Sequence, residues 1–289
     1  PLRPPGPDKD IIMAAQRTGG VVTVIDGAVA RVVIDRAEAR NALSPGVIGG
    51  LQGAITAATD AGCSVMVLRG AGGTLSAGAD LKYLQGIRHD PPALRAYITS
   101  IGETIQRLAD APFISVGVVE QYALAGGCEI LLACDLAVVS KEARIGDRHL
   151  EYGLLPGAGG SVRLARSVPA AVARRLLFTG EMIDGAAAAR AGLVSHAVPG
   201  VEVDSEVDAL VTRLAGLSGS ALSQMKGLYL AAMTTDPDTA MAAEREILIR
   251  HLSDDPAAAE GLAAFAEGRA PDFSQFRAAL ASVPSGRRP

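Results

Sequence analysis

The feature that most constrains the fold of this chain is a repeated alternation of apolar strand segments with helical segments. It begins at VVTVIDGAVARVVID (21–35), where two β-branched runs flank Asp26-Gly27, a dipeptide that favours a hairpin turn. Further strands are predicted at SVMVLRG (64–70), FISVGVV (113–119) and LAVVS (136–140), and helices at Ser44-Pro45, near Pro92 and at Gly126. Strands that alternate with helices along a chain indicate the α/β class.

The strand signals end near Gly200, and the sequence beyond it is typical of helices as far as Ala266. Ser253 and Asp254 are predicted to cap a helix in this part. We therefore predict three parts: a loose N-terminal arm at 1–18, an α/β core at 19–200 and a helical C-terminal region at 201–289. The helical region is expected to pack on the core or on another subunit.

Composition excludes several classes of protein. Of the 289 residues 49% are hydrophobic but only 3% are aromatic, so the core must be aliphatic. The net charge is −4 and the basic residues are scattered, which argues against a nucleic-acid partner. Cys63, Cys128 and Cys134 lack the spacing of a disulfide framework or a metal site, so a reducing cytoplasm is expected. No apolar run is long enough to predict a membrane span.

One carboxylate stands in an apolar helical segment. In YALAGGCEILLACD (122–135) Glu129 is the only charge before Asp135, and its neighbours on the helix face are apolar: Ala125, Gly126, Leu132 and Ala133. Burial would raise the pKa of Glu129 toward neutrality, as general acid–base catalysis requires. The alternative is that Glu129 pairs with a distant arginine in the core.

Three other segments are rich in glycine. Gly126-Gly127 could bind an oxyanion at a helix start, or serve only for close packing. The segment 70–84 follows a strand and could offer backbone N–H groups to a ligand, or be a plain connection. PGAGG (156–160) is not a dinucleotide fingerprint, because Val162 replaces the third glycine and no strand precedes it. His149 stands just before that turn, as a catalytic group or a polar loop residue.

Four motifs in order resemble the crotonase superfamily, the enoyl-CoA hydratase/isomerase family: EARNAL (38–43), SAGADLK (76–82), YALAGGCE (122–129) and GLLPGAGGSVRL (153–164). The resemblance covers 21–273, although Gly268 replaces a common lysine. It implies a crotonase-like α/β spiral of ββα units with a helical C-terminal trimerisation region, in a homotrimer or hexamer. It also implies an acyl-CoA thioester substrate, with coenzyme A as part of that substrate and no other cofactor.

The resemblance also implies roles for particular residues. The backbone N–H groups of Ala77 and Gly126 would hold the thioester oxygen, and Glu129 falls on one of two catalytic glutamates. The residues expected to line the CoA site are Ala39, Arg40, Ser76, Asp80, Leu81 and Lys82.

The chain departs from the family pattern at the second catalytic glutamate. That residue is expected four positions before Gly153, where this chain has His149, unless a shifted register brings Glu151 or Asp147 there. The resemblance therefore implies an enoyl-CoA hydratase with histidine in place of one glutamate. Alternatives are another crotonase reaction, such as C–C bond hydrolysis of a β-dicarbonyl compound, or a non-catalytic CoA-binding protein. A dienoyl isomerase is disfavoured, because its acid would stand at Gly157.

Overall fold

The computed structural model describes residues 15–276, and within them the chain forms ten strands and eleven α-helices. The strands are β1 (Gln16–Thr18), β2 (Val21–Asp26), β3 (Val29–Ile34), β4 (Val65–Gly70), β5 (Ile114–Val119), β6 (Tyr122–Leu124), β7 (Leu136–Ser140), β8 (Arg144–Gly146), β9 (Ile183–Asp184) and β10 (His196–Val198). The helices are α1 (Pro45–Asp60), α2 (Leu81–Ile87), α3 (Pro91–Ala109), α4 (Gly126–Ala133), α5 (Gly160–Ser167), α6 (Ala170–Thr179), α7 (Gly185–Arg190), α8 (Val203–Ala215), α9 (Gly219–Thr234), α10 (Pro237–Asp254) and α11 (Pro256–Glu267).

Seven strands form the main sheet in the order β1-β2-β3-β4-β5-β7-β10. The predicted hairpin is confirmed as the antiparallel pair β2–β3, whereas β3, β4, β5, β7 and β10 run parallel. Strands β6, β8 and β9 make a second, smaller sheet. The carboxyl ends of parallel strands are where α/β sheets bind ligands, and both the loop after β4 and the turn that leads from β5 to α4 begin there.

Alternate residues of the central strands supply the two faces of the main sheet. Met66 and Leu68 of β4 belong to the larger core, under α1, α3 and α4, whereas Val65 and Val67 face the other way and pack against α8. This alternation follows from the period of two in a strand, and a strand buried on both faces accounts for the uninterrupted apolar run in the sequence.

An ion pair with a buried lysine connects the helical C-terminal region to the main sheet. Lys226 of α9 is 7% exposed, and its ammonium group donates to a carboxylate oxygen of Asp135 at 2.8 Å and to the carbonyl oxygen of Phe113 at 3.1 Å. Ser115 of β5 donates its hydroxyl to the same carboxylate at 2.8 Å. The pair therefore joins α9 to the segments that begin β5 and β7.

Two predictions about chain ends and caps need correction. Part of the predicted loose arm, Gln16–Thr18, is the edge strand β1 paired with β2, because its backbone completes an antiparallel ladder; positions 1–14 lie outside the described residues. The predicted cap at Ser253 and Asp254 is the last turn of α10, and Asp255 caps α11 by accepting from the amide of Ala257 at 2.8 Å. The predicted helix start at Ser44-Pro45 is confirmed, and the side chain of Ser44 caps α1 by accepting from the amide of Val47.

Candidate active site

Two stretches of backbone meet where the loop after β4 touches the start of α4. Gly78 has φ +105°, and a Cβ added to it would lie 3.0 Å from the amide nitrogen of Gly126. A Cβ added to Gly126 would lie 3.5 Å from the amide nitrogen of Ala79. Ala125, which precedes α4, has the strained backbone angles φ 48° and ψ −118°. The close approach therefore requires glycine at positions 78 and 126, and it brings the amides of Ala79 and Gly126 near each other.

These amides differ from their neighbours in their hydrogen bonding. The amide of Ala77 donates to the carbonyl oxygen of Arg40 at 3.0 Å, and that of Gly78 donates to the hydroxyl oxygen of Ser76 at 3.0 Å. Within residues 15–276 no acceptor pairs with the amides of Ala79 or Gly126. The geometry thus contradicts the predicted donor Ala77, whose N–H group is already used, and the role of Gly126 stays a prediction.

A buried tyrosine joins the two loops that carry this region. The hydroxyl of Tyr97 accepts from the amide of Asp80 at 2.9 Å and donates to the carbonyl oxygen of Leu43 at 2.6 Å. Burial raises the pKa of Tyr97 to about 12, so the hydroxyl stays protonated. The amide of Leu43 in turn donates to the carbonyl oxygen of Gly78 at 2.8 Å. Tyr97 therefore fixes the backbone on either side of Ala79.

Glu129 is buried, as predicted, with 2% of its surface exposed. Its Oε1 atom accepts from the amides of Ala158 and Gly160, each at 2.8 Å. The alternative partner, an arginine, is not found among the described residues; the nearby guanidinium of Arg163 donates instead to the carbonyl oxygen of Ala158. Burial raises the pKa of Glu129 above its ordinary value, although the two amide hydrogen bonds and His149 oppose the shift.

His149 begins a short 3-10 helix, His149–Tyr152, and its side chain is 13% exposed. Its Nδ1 atom lies 2.9 Å from Oδ1 of Asp147, a residue only 3% exposed. Burial by itself would lower the pKa of His149. The hydrogen bond to Asp147 and the negative charges of Asp147 and Glu129 outweigh that effect, so the pKa is raised overall. His149 lowers the pKa of Glu129, and Glu129 raises the pKa of His149, so the two side chains interact electrostatically.

The predicted register alternatives have different outcomes. Glu151 pairs with Arg148 and its side chain is 44% exposed, so it does not take the buried position. Asp147 is buried, but as the partner of His149. A Cβ on Gly160 would lie 2.8 Å from Oδ2 of Asp147 and 3.1 Å from Oε1 of Glu129, so both carboxylates adjoin the same glycine. Glu129, His149 and Asp147 thus form one cluster. The sequence presents Asp147 only as an alternative to His149, and their i, i+2 spacing is the one local signal of the contact between them.

The residues predicted to line the CoA site lie on neighbouring loops. Arg40 is exposed and follows the short helix that ends at Ala39, and the bond from the Ala77 amide holds this loop beside the loop after β4. Asp80 caps α2 by accepting from the amide of Tyr83 at 3.2 Å, which leaves Leu81 and Lys82 exposed on its first turn.

Ser76 is different from the rest of that set. Its surface is fully buried, and its hydroxyl accepts the Gly78 amide, so its side chain serves the loop and does not face solvent.

The described residues contain neither a metal-binding cluster nor a membrane-spanning helix. Across 15–276 no group of three or more histidine, cysteine, aspartate or glutamate side chains is placed to hold a metal ion. No helix in the same range combines the length and apolar character needed to cross a membrane.

Comparisons with known proteins agree with this architecture. A sequence profile described as enoyl-CoA hydratase/isomerase matches residues 24–277. The probable enoyl-CoA hydratase echA8 of Mycobacterium bovis is 32% identical over 250 residues, covering 86% of this chain and 95% of that protein. The 2,3-dehydroadipyl-CoA hydratase of Escherichia coli is 33% identical over 247 residues, covering 83% and 92%.

A solved structure extends the agreement to the fold. The crystal structure of an enoyl-CoA hydratase from a Polaromonas species superposes with a TM-score of 0.82 at 30% identity, over 87% of this chain and 98% of that one. The α/β crotonase-like fold predicted from the motifs is confirmed. The chain therefore belongs to the enoyl-CoA hydratase/isomerase family of the crotonase superfamily.

Proposed function

We propose that this protein adds water to the double bond of a 2-enoyl-CoA. The observation that carries the proposal is the cluster of Glu129 and His149, with Glu129 on the helix that begins at Gly126. The amide of Gly126 adjoins that of Ala79, and neither has an acceptor among residues 15–276. The amides of Ala79 and Gly126 would bind the thioester oxygen. A donor pair of this kind stabilises the charge of an enolate, and the loss of one donor typically costs about 3 to 4 kcal/mol.

The proposed reaction divides proton transfer between the two titratable side chains. His149 accepts a proton from water as the water oxygen bonds to C3, and the electrons of the C2–C3 double bond move toward the thioester oxygen as an enolate. The enolate then collapses and C2 takes a proton from Glu129. Burial raises the pKa of Glu129 and so favours the form that carries this proton, and the imidazole of His149 can accept a proton from water. Exchange with solvent returns both groups to their starting states.

The substrate class follows from the family and from the names of the relatives. Those relatives are named as hydratases of enoyl-CoA compounds, one of them of 2,3-dehydroadipyl-CoA. Arg40 and Lys82 carry exposed positive charges beside the amide pair, where they could bind the phosphates of coenzyme A. Ala39, Asp80 and Leu81 belong to the same two loops.

The test is hydration of crotonyl-CoA and longer 2-enoyl-CoA thioesters by the purified protein, followed as loss of the ultraviolet absorbance of the conjugated thioester. Glu129→Gln and His149→Ala should each lower kcat by about 10²- to 10⁴-fold, and the double variant should be little worse than either. Glu151→Gln is the matched control, since it removes an exposed acid two residues away and should change nothing. Full activity of His149→Ala would refute its role.

A histidine paired with a carboxylate also suits water attack on a carbonyl carbon, so C–C bond hydrolysis of a β-dicarbonyl compound is the second candidate. The two reactions separate in the double substitution His149→Glu/Asp147→Asn, in which asparagine avoids a second carboxylate beside the new glutamate. Restoring the carboxylate pair of related hydratases should raise or preserve enoyl-CoA hydration, whereas it should abolish a hydrolysis that depends on imidazole. A protein that binds CoA without either activity would support the non-catalytic alternative.

We also propose assembly as a homotrimer or hexamer. The three last helices expose large apolar side chains that a monomer would leave in water: Met225, Tyr229, Met233, Met241, Leu248, Ile249, Leu252, Leu262 and Phe265. Sedimentation at micromolar concentration should give a mass of three or six chains. A monomer would exclude the trimerisation role of the C-terminal helices.

A further inference from the structure

The contact between Asp147 and His149 goes beyond a single hydrogen bond. Asp147 follows β8, which the small sheet holds between β6 and β9. The next residue, Arg148, has a left-handed backbone with φ 57°, and this turn brings the side chains of Asp147 and His149 face to face. Oδ1 of Asp147 lies 2.9 Å from Nδ1 of His149 and also accepts from its backbone amide at 3.4 Å.

No other described group pairs with this carboxylate. Among residues 15–276, every hydrogen bond and ion pair of the Asp147 side chain goes to His149. A buried carboxylate is costly unless it has a partner, and a carboxylate that served only the fold would be expected to pair with a lysine, an arginine or several amides. The single partner of Asp147 is therefore the group that explains its burial.

An ionised carboxylate can only accept hydrogen bonds, so the Nδ1 atom that faces it must carry a proton. The neutral imidazole then has its lone pair on Nε2, and no described residue hydrogen-bonds to that atom. A base of this form can accept a proton from water, after which the negative charge of Asp147 stabilises the imidazolium. The carboxylate thus determines which nitrogen is basic.

The two acidic side chains near the imidazole change the pKa of His149 in the same direction. Asp147, from the segment after β8, and Glu129, from α4, both raise the pKa of His149, while burial lowers it. The positive charge of Arg163 on α5 acts on Glu129, and Arg148 forms an ion pair with Glu151. The buried thiol of Cys128 has a raised pKa because of burial, so it carries no charge at neutral pH. The two carboxyl groups thus offset the effect of burial on the imidazole.

We propose that Asp147 is a positioning residue that fixes His149 as the Nδ1–H tautomer and presents Nε2 to the acyl site. Asp147 and His149 together then replace the second glutamate of related hydratases. This inference rests on the proposed function for its kinetic consequences, but the tautomer itself does not depend on which reaction the protein catalyses.

The first test reads the tautomer directly. In protein labelled with ¹⁵N-histidine, the signal of His149 is identified among the four histidines by its loss in His149→Gln. Wild type should show the Nδ1–H tautomer, and Asp147→Asn should lower the pKa of His149 and populate the Nε2–H form. An unchanged tautomer and pKa in Asp147→Asn would overturn the inference, and this result can be read even if the protein hydrates no 2-enoyl-CoA.

The second test is kinetic, on a 2-enoyl-CoA that the wild type hydrates. Asp147→Asn should lower kcat by about 10²- to 10⁴-fold with little change in KM, because a wrong tautomer removes the base without removing binding contacts. In the His149→Gln background the same substitution should have no further effect. An equal loss in both backgrounds would mean that Asp147 acts through the fold, and would refute the positioning role.

The matched control is a second histidine–carboxylate contact in the same chain. Nδ1 of His251 lies 3.1 Å from a carboxylate oxygen of Asp255, between α10 and α11. Asp255→Asn keeps a residue that can cap α11, and it should leave kcat unchanged. If Asp255→Asn lowers kcat as much as Asp147→Asn does, the loss is not specific to the acyl site and the inference fails.

Discussion

Gly127 offers a sharp test of whether the contact between α4 and the loop after β4 controls catalysis. A Cβ added at Gly127 would lie 2.0 Å from the carbonyl oxygen of Ser76 and 2.7 Å from its carbonyl carbon. Real Cβ contacts essentially never fall under 3.0 Å, so in Gly127→Ala the two backbones must separate by about 1 Å. The atoms that must move are backbone, which cannot rotate away as a flexible side chain does.

That separation acts on the site directly. Gly127 is adjacent to Gly126 in the chain and Ser76 is three residues before Ala79, so the displacement parts the two amides proposed to hold the thioester oxygen. A misplacement of about 1 Å costs roughly 10²-fold in rate, equivalent to about 2.7 kcal/mol of transition-state stabilisation. Overpacking of a tight site costs about 1 to 3 kcal/mol of folding stability as well.

The assay compares kcat for 2-enoyl-CoA hydration with the free energy of unfolding in denaturant. The matched control is Gly185→Ala, because a Cβ there would also lie 2.0 Å from a carbonyl oxygen, that of Ser140, outside the candidate site. Both variants should lose similar stability, but only Gly127→Ala should lose about 10²-fold in kcat. The reasoning is refuted if a folded Gly127→Ala stays within about threefold of wild type, or if Gly185→Ala loses kcat equally.

Three further substitutions test other contacts. Lys226→Met removes the buried cation that pairs with Asp135 and should lower the free energy of unfolding by about 1 to 3 kcal/mol in urea titrations, whereas Arg31→Ala, which breaks an exposed ion pair, should cost under about 1 kcal/mol. Tyr97→Phe removes the hydroxyl that joins the two loops, so kcat should fall and stability should drop by about 1 to 3 kcal/mol; unchanged values for both would contradict the linking role. Because the pKa of Glu129 is raised in the folded protein, the folded state retains a proton that the unfolded chain releases, and stability is lost as pH rises from the unfolded toward the folded pKa. Glu129→Gln should therefore gain in melting temperature relative to wild type as the pH rises above the ordinary pKa of glutamate, and a difference that stays constant as the pH rises would show that burial does not raise this pKa.

Much of the fold was determined by the sequence itself, because the signals are local. The Asp26-Gly27 turn between two β-branched runs predicted the hairpin, and Ser44 before Pro45 predicted the start of α1; both are confirmed. The ends of elements were less certain. The backbone of Gln16–Thr18 pairs with β2 although its side chains are exposed and give no apolar signal.

For the site, the sequence determined which chemical groups are present, and the tertiary structure decided what each one can do. The apolar helix face predicted that Glu129 is buried, because that depends on neighbours three and four residues away. Its partners, the amides of Ala158 and Gly160, are distant from it in sequence. They are backbone groups, so no side chain in the sequence identifies them.

Backbone groups also explain why the sequence predicted the amide of Ala77 as a donor, whereas the structure favours that of Ala79. Every residue in the loop after β4 has a backbone N–H group, so the motif alone does not distinguish one donor from the next. The carbonyl oxygen of Arg40, distant in sequence, accepts the amide of Ala77 and leaves that of Ala79 beside Gly126. Likewise the left-handed turn at Arg148 makes Asp147 the partner of His149 and not its substitute. Which amide and which nitrogen remain available depends on acceptors that only folding brings into reach, because a hydrogen bond is set by distance and direction in space and not by order along the chain.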